Sequence, residues 1–229
     1  MSKVFFTPQL FEFLAELEQN NDRDWFNTNK HRYIEHVREP LLDFIEALGE
    51  PLLGISEHFV ADPRSNGGSM FRIYRDTRFS KDKTPYKTHV SMQLRHEAGK
   101  DAHAPGFYLQ LKPGGCTLGG GIYRADNAAL SKVRERIVAK TEQWVSLQSD
   151  RIFVQSFGRV YGEGLKRVPR GFDKHHQCAE DLKRKTFFVR YEFDDELALS
   201  NELLDETARL FSAAGPFMQF ITNAIGLRY

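Results

Sequence analysis

Cysteine is scarce in this chain: Cys116 and Cys178 are its only two thiols, too few for a disulfide scaffold. No stretch approaches the roughly 18 apolar residues that a membrane-spanning helix needs, and the first residues lack a basic-then-apolar leader pattern. A cytoplasmic protein with no membrane partner is the expectation. Signatures of cofactors and metals are missing too. Gly114-Gly115 and Gly119-Gly120-Gly121 fit neither the phosphate-binding loop nor the dinucleotide fingerprint. They read instead as turns and a strand where backbone must approach something closely. No Gly-x-Ser-x-Gly elbow occurs. His175, His176 and Cys178 match no zinc-ligand spacing, nor does the series His89, His96 and His103. Neither a cofactor nor a metal is expected.

Phenylalanine, by contrast, is abundant at 19 residues, which predicts a core of aromatic packing. The formal net charge of +1 hides a segregation of sign. Residues 1–63 carry 5 Lys/Arg against 12 Asp/Glu, and residues 191–229 carry 2 against 7. Between them, residues 64–112 carry 10 against 4, and residues 166–190 carry 8 against 3. Acidic ends therefore flank a basic middle. The two basic blocks either meet in space as a positive pocket or are neutralised by acidic terminal helices.

Periodicity supplies the element order. Thr7 and Pro8 open a helix with the apolar stripe Leu10, Phe11, Phe13, Leu14 and Leu17. Asp24 is placed to cap a second helix, which Pro40 should kink or split, and Gly49, Pro51 and Gly54 should end it. The segment 70–74 alternates like a strand, as do 90–94, 106–111, 116–123 and 186–193, with short Gly/Pro turns suggesting an antiparallel meander. Asp126 opens a helix with Leu130, Val133, Ile137 and Val138 inside, whereas residues 150–171 look irregular. A short helix is expected near 179–184. Asp194 or Asp195 caps a helix through Leu197, Leu203, Leu204, Leu210 and Phe211, which Gly215-Pro216 should break. The fold class expected is α+β: a single domain over residues 1–229 with a mainly antiparallel sheet and helices from both chain ends.

The stretch from Phe71 to Lys87 holds most of the chemistry. Arg72, Arg75, Arg78, Lys81, Lys83 and Lys87 are interleaved with hydroxyls, tyrosines and the two acids Asp76 and Asp82. Cations this close repel unless carboxylates or an anionic ligand compensates, so the segment is either an anion site or an internal ion-pair network. A second basic loop, with Lys166, Arg167 and Arg170 around the stiffening Pro169, could close the other side of one pocket. Arg23 or Asp24, in the turn between the first two helices, would border it.

Four phrases carry a family likeness: Asn21-Asp22-Arg23-Asp24-Trp25-Phe26, residues 71–79, residues 81–87 and residues 165–172. Together they resemble the conserved hypothetical family filed as domain-of-unknown-function family 2461, over nearly the whole chain from Phe5 to about Phe220. The resemblance implies one domain and supplies no catalytic residue. The leading expectation is binding of a phosphate-bearing small molecule or other polyanion in a basic cleft. Nucleic acid is a less favoured partner, because a dedicated binder is usually strongly basic. One alternative is a hydrolase or phosphoryl-transfer enzyme in the same cleft, with Asp76, Asp82, Tyr86 or His89 as the nearest proton acceptors. The other is a structural or interaction protein whose cations are paired internally.

Overall fold

The structure, a computed structural model, describes residues 3–99, 104–123 and 125–229. Pro8, whose fixed φ suits a first turn, opens α1 (Pro8–Gln19), and all five residues of its apolar stripe are buried. Asp24 is not the next cap. Asp22 takes that role, accepting hydrogen bonds from the N–H groups of Asp24 and Trp25 at 2.9 Å each. Helices α2 (Arg23–Thr28) and α3 (Lys30–Tyr33) follow. Pro40 does split the pattern: a π-helical turn over Ile34–Arg38 precedes α4 (Glu39–Ala47), which holds the proline in its first turn. Gly49 and Pro51 do not end the helical region. They begin α5 (Gly49–Ile55), where proline's absent N–H would have had no partner anyway.

Five strands, β1 (Phe59–Val60), β2 (Val90–His96), β3 (Gly106–Leu111), β4 (Cys116–Ile122) and β5 (Phe187–Phe193), form one antiparallel sheet in sequence order. The segment 70–74 is not a strand. It meets β2 through a single bridge at Met70 and Met92, then pairs with its own continuation at Tyr74 and Tyr86. Arg75 N–H to Pro85 O and Lys87 N–H to Ile73 O, both 2.8 Å, consume the bonds a longer strand would need. The basic stretch is therefore a loop closed at its base and tied to the edge of β2.

Helices α6 (Asn127–Ala139), α7 (Thr141–Ser149), α8 (Arg151–Phe157), α9 (Ala179–Leu182), α10 (Asp195–Ala198) and α11 (Leu203–Ala224) complete the order. Asp126 caps α6 and its residues Leu130, Val133 and Ile137 are buried, while Val138 is exposed. The supposedly irregular region holds α8, because Asp150 caps it through the Phe153 N–H at 3.0 Å and it buries Phe153 and Phe157. Asp194 caps only the short α10, and the leucines from 203 onward belong to α11. That helix runs straight through Pro216. An interior proline costs about 3 kcal/mol, and a fully buried large apolar side chain returns about 1.5–3 kcal/mol. Leu210, Phe211, Phe217, Met218 and Ile221, all buried, outweigh it.

Strand alternation divides the sheet into two unlike faces. Val90, Met92, Leu94, Phe107, Leu109, Leu111, Leu118, Ile122 and Val189 are buried and join one apolar cluster that extends from Phe5 to Ile221. Helix α11 covers this face over β4 and β5. Gly120 lets it approach, since a Cβ there would lie 2.8 Å from the Met218 sulfur. At Gly119 a Cβ would sit 1.9 Å from the Val189 carbonyl oxygen, inside the neighbouring strand. Gly119→Ala should therefore disrupt the β4–β5 ladder and cost about 2 kcal/mol or more, as overpacking against backbone does. Urea unfolding measures it, and a midpoint equal to the parent's would show that the strands can part without penalty.

Candidate functional site

The second face of the sheet carries a cavity of about 570 Å³. Its floor follows the ladder register: Gln93, Tyr108, Gly119 and Arg190 stand in one row, and Ser91, Gln110 and Thr117 in the next. Adjacent strands are about 4.8 Å apart, so a row crosses roughly three such spacings. Gly106, Gly119 and Gly121 leave bare backbone in the middle. Phe71, Tyr123 and Phe188 supply aromatic walls, and none of the described lining residues is a carboxylic acid. A largely apolar hollow with aromatic sides, a few polar groups and no carboxylate among its described lining can hold a small molecule by stacking and hydrogen bonds.

Three basic side chains, Lys87, His89 and Arg190, line this cavity. Lys87 donates to the Arg72 carbonyl at 2.7 Å and lies over the Phe71 ring at 5.4 Å. Burial, and then the neighbouring Arg72 charge, draw its pKa below the usual lysine value. Arg190 lies over the Tyr161 ring at 4.7 Å and meets Glu192 at 3.2 Å. Both members of that ion pair are exposed, and such pairs contribute about 0–1 kcal/mol. A ligand oxyanion can therefore replace Glu192 at small cost. His89 is held neutral: burial first, then Lys87 and Lys112, bring its pKa from 6.5 to about 4. Tyr108 donates to Gln110 Oε1 at 3.0 Å.

Most of the basic stretch finds partners at home. Arg75 reaches Asp82 at 2.6 Å and also Thr84, and Arg78 grips Asp76 with Nε and a terminal nitrogen at 2.9 and 2.7 Å. Lys83 donates to the Thr77 carbonyl at 2.8 Å. The Arg78 guanidinium, through its hydrogen bonds, brings Asp76 down to about 2. The Thr84 N–H, and next Arg75, do the same for Asp82. No ion pair between described residues joins this stretch to the acidic terminal helices. Arg72 and Lys81 are exposed and have no ion pair among the described residues. Lys166, Arg167 and Arg170 lie exposed on their own loop and line neither cleft described here.

The loop is fixed to the helices by a side chain whose role the sequence did not signal. Asn21 donates to the Tyr86 carbonyl and accepts from the Tyr86 N–H, each at 3.0 Å, replacing a missing strand partner. Phe26 stacks on Tyr86 at 4.1 Å beside it. Between α2 and the loop lies a smaller cleft of about 280 Å³, lined by Arg23, Asn27, Tyr74, Arg75, Thr77, Pro85 and Tyr86. The sequence expectation thus contributes Lys87 to the sheet face and Arg75, with Arg23, to the second cleft. Arg190 was missed, although polar residues alternating at 89, 91 and 93 and at 108 and 110 signal an uncovered polar face.

Among the described residues no group of three or more His, Cys, Asp or Glu is placed to hold a metal ion. His176 is engaged by Thr141 and by the Cys178 N–H, His96 meets the Arg228 carbonyl, and His103 lies outside the described residues. Cys116 and Cys178 are buried free thiols, and burial raises Cys116 to about 11. No described helix is long and apolar enough to cross a membrane.

His89 makes a pH prediction. The unfolded chain takes a proton on this group near 6.5 and the folded protein only near 4, so stability falls as pH drops through that window and levels off below it. His89→Gln should flatten the fall in urea midpoints measured across the window. An equal fall in the variant would assign the loss to the carboxylates alone.

Comparison with known proteins agrees with the resemblance read from the four phrases. No curated protein and no solved structure matches the chain. The family model described as conserved hypothetical protein (DUF2461) matches residues 9–220, from within α1 almost to the end of α11. The cavity, the basic loop and its Asn21 clamp all fall inside that span, and the chain belongs to the DUF2461 family.

Proposed function

We propose that the protein binds a small molecule bearing a phosphate or other anionic group on the open face of the sheet. One observation carries this reading: a cavity of about 570 Å³ into which Lys87 and Arg190 project, with no carboxylic acid among its described lining residues. Lys87 and Arg190 receive the anionic group, Tyr108, Gln93 and Ser91 exchange hydrogen bonds with the polar parts, and Phe71 and Phe188 flank any ring. A hollow of this size suits a metabolite better than a nucleic-acid backbone, which needs a long basic track. The setting proposed is cytoplasmic, in keeping with the buried free thiols Cys116 and Cys178.

Two other readings each have an observation behind them. A hydrolase or phosphoryl-transfer activity is favoured by His89, a neutral imidazole in the same cavity that is free to accept a proton. A framework role for the basic loop is favoured by the Arg75–Asp82 and Arg78–Asp76 pairs. That role is compatible with binding, since those pairs lie between Arg75 and Asp82 and do not involve Lys87.

A thermal-shift screen of nucleotides, sugar phosphates and short oligonucleotides at low and moderate salt tests the proposal. A ligand that binds only the folded state stabilises it by about 2.7 kcal/mol at a hundred times its Kd. The expected result is a salt-sensitive rise in midpoint with a small phosphorylated compound, reduced in both Arg190→Gln and Lys87→Gln. A rise that survives in both variants, or none with any compound, would reject the sheet face as the binding site.

A further inference from the structure

The second cleft presents an electrostatic problem of its own. Arg23 from α2 and Arg75 from the basic loop line a single hollow of about 280 Å³. None of the described residues lining it is acidic. Arg23 has no ion pair among the described residues. Arg75 is different: Asp82 and Thr84 engage one terminal nitrogen, which orients the guanidinium and leaves its other N–H donors for something else. Asp82 compensates Arg75 alone, so the Arg23 charge lining the same hollow has no counter-ion among the described residues, and an anion there supplies one.

Its walls are also held in place before any ligand arrives. Asn21 bonds both backbone groups of Tyr86, Phe26 stacks on the Tyr86 ring, and the Tyr74–Tyr86 bridge closes the loop. Helix α2 and the loop therefore keep a fixed separation, which lowers the ordering cost of binding. Asn27 and Thr77 add uncharged donors around the two guanidinium groups. Planar guanidinium forks match the oxygen pairs of a tetrahedral oxyanion, each through two charge-assisted hydrogen bonds. Tyr74, 56% exposed at the cleft, offers a ring face beside that position.

We infer that Arg23 and Arg75 form a phosphate-binding site in the cleft between α2 and the basic loop, separate from the sheet-face cavity. It takes a phosphate dianion, either free or as the head of a phosphomonoester whose organic part lies against Tyr74. This site does not rest on the sheet-face proposal, because the two clefts share no lining residue.

Isothermal titration with inorganic phosphate and with phenyl phosphate tests it, using the parent protein, Arg23→Gln, Asn27→Ala and Arg190→Gln. Arg23 and Asn27 are exposed, so both cleft variants should keep the parent's unfolding midpoint. The expected result is binding by the parent, Kd raised about tenfold or more in Arg23→Gln, as loss of a bidentate charged contact implies. Asn27→Ala should weaken binding less, and the Arg23-dependent binding should persist in Arg190→Gln, which removes only binding on the sheet face. Tighter binding of phenyl phosphate than of phosphate would identify a phosphomonoester as the ligand, and equal binding would identify free phosphate. Absence of binding by the parent overturns the site, as does parent-like binding in Arg23→Gln. Loss in Arg190→Gln with retention in Arg23→Gln would also overturn it, and would put the anion on the sheet face instead.

Discussion

The close approach of β4 to β5 is the constraint on which the site depends. At Gly119 and Gly121 the space a side chain would fill is taken by β5 backbone, and at Gly120 by Met218 and Phe107. Three consecutive glycines thus serve two ends. On the covered face they let α11 settle onto the sheet. On the open face they leave the middle of the floor without side chains, so a hollow exists between Tyr108 and Arg190. Any larger residue at 119 would both part the strands and fill the cavity.

Electrostatics in the basic loop divides by depth. At the exposed tip, aspartates two residues or a few residues away neutralise Arg75 and Arg78, and water screens what remains. Nearer the sheet, Lys87 and His89 lie where water is partly excluded, and both have their charged forms disfavoured by burial. The loop's cations therefore do not line a single hollow. Their clustering in sequence reflects a compact turn that supplies its own counter-ions, with single members directed into two separate hollows. An anion in the sheet-face hollow would be met by few charges where water is partly excluded, and each is worth more there than on the surface.

Asn21 links these parts. By making both backbone hydrogen bonds of Tyr86 it acts as a one-residue strand, holding the loop against the acidic N-terminal helices with no ion pair between them among the described residues. Among the described residues no ion pair joins the terminal helices to the stretch from Phe71 to Lys87. Glu16 pairs with Arg32, Asp43 with Lys3 and Glu206 with Arg209, each within its own region. These pairs are at least partly exposed, and an exposed pair gains little.

Local chemistry by itself determined the α+β class, the strands from Val90 to Phe193, the cap at Asp126 and the need for close backbone contact at Gly119-Gly120-Gly121, since alternation, capping and turn residues act within a few positions. It also marked Phe71 to Lys87 as a segment whose charges must be compensated. It misjudged Pro51 and Pro216, because whether a proline ends a helix depends on its place in the turn and on the apolar surface buried around it. It could not separate Lys87 from Arg78, which differ only in depth, nor find Arg190, whose strand lies about seventy residues from β4 in the chain and beside it in the sheet. Only tertiary structure decided which cations share a hollow, because convergence of side chains is set by strand register and loop anchoring, and neither is written in the spacing of residues along the chain.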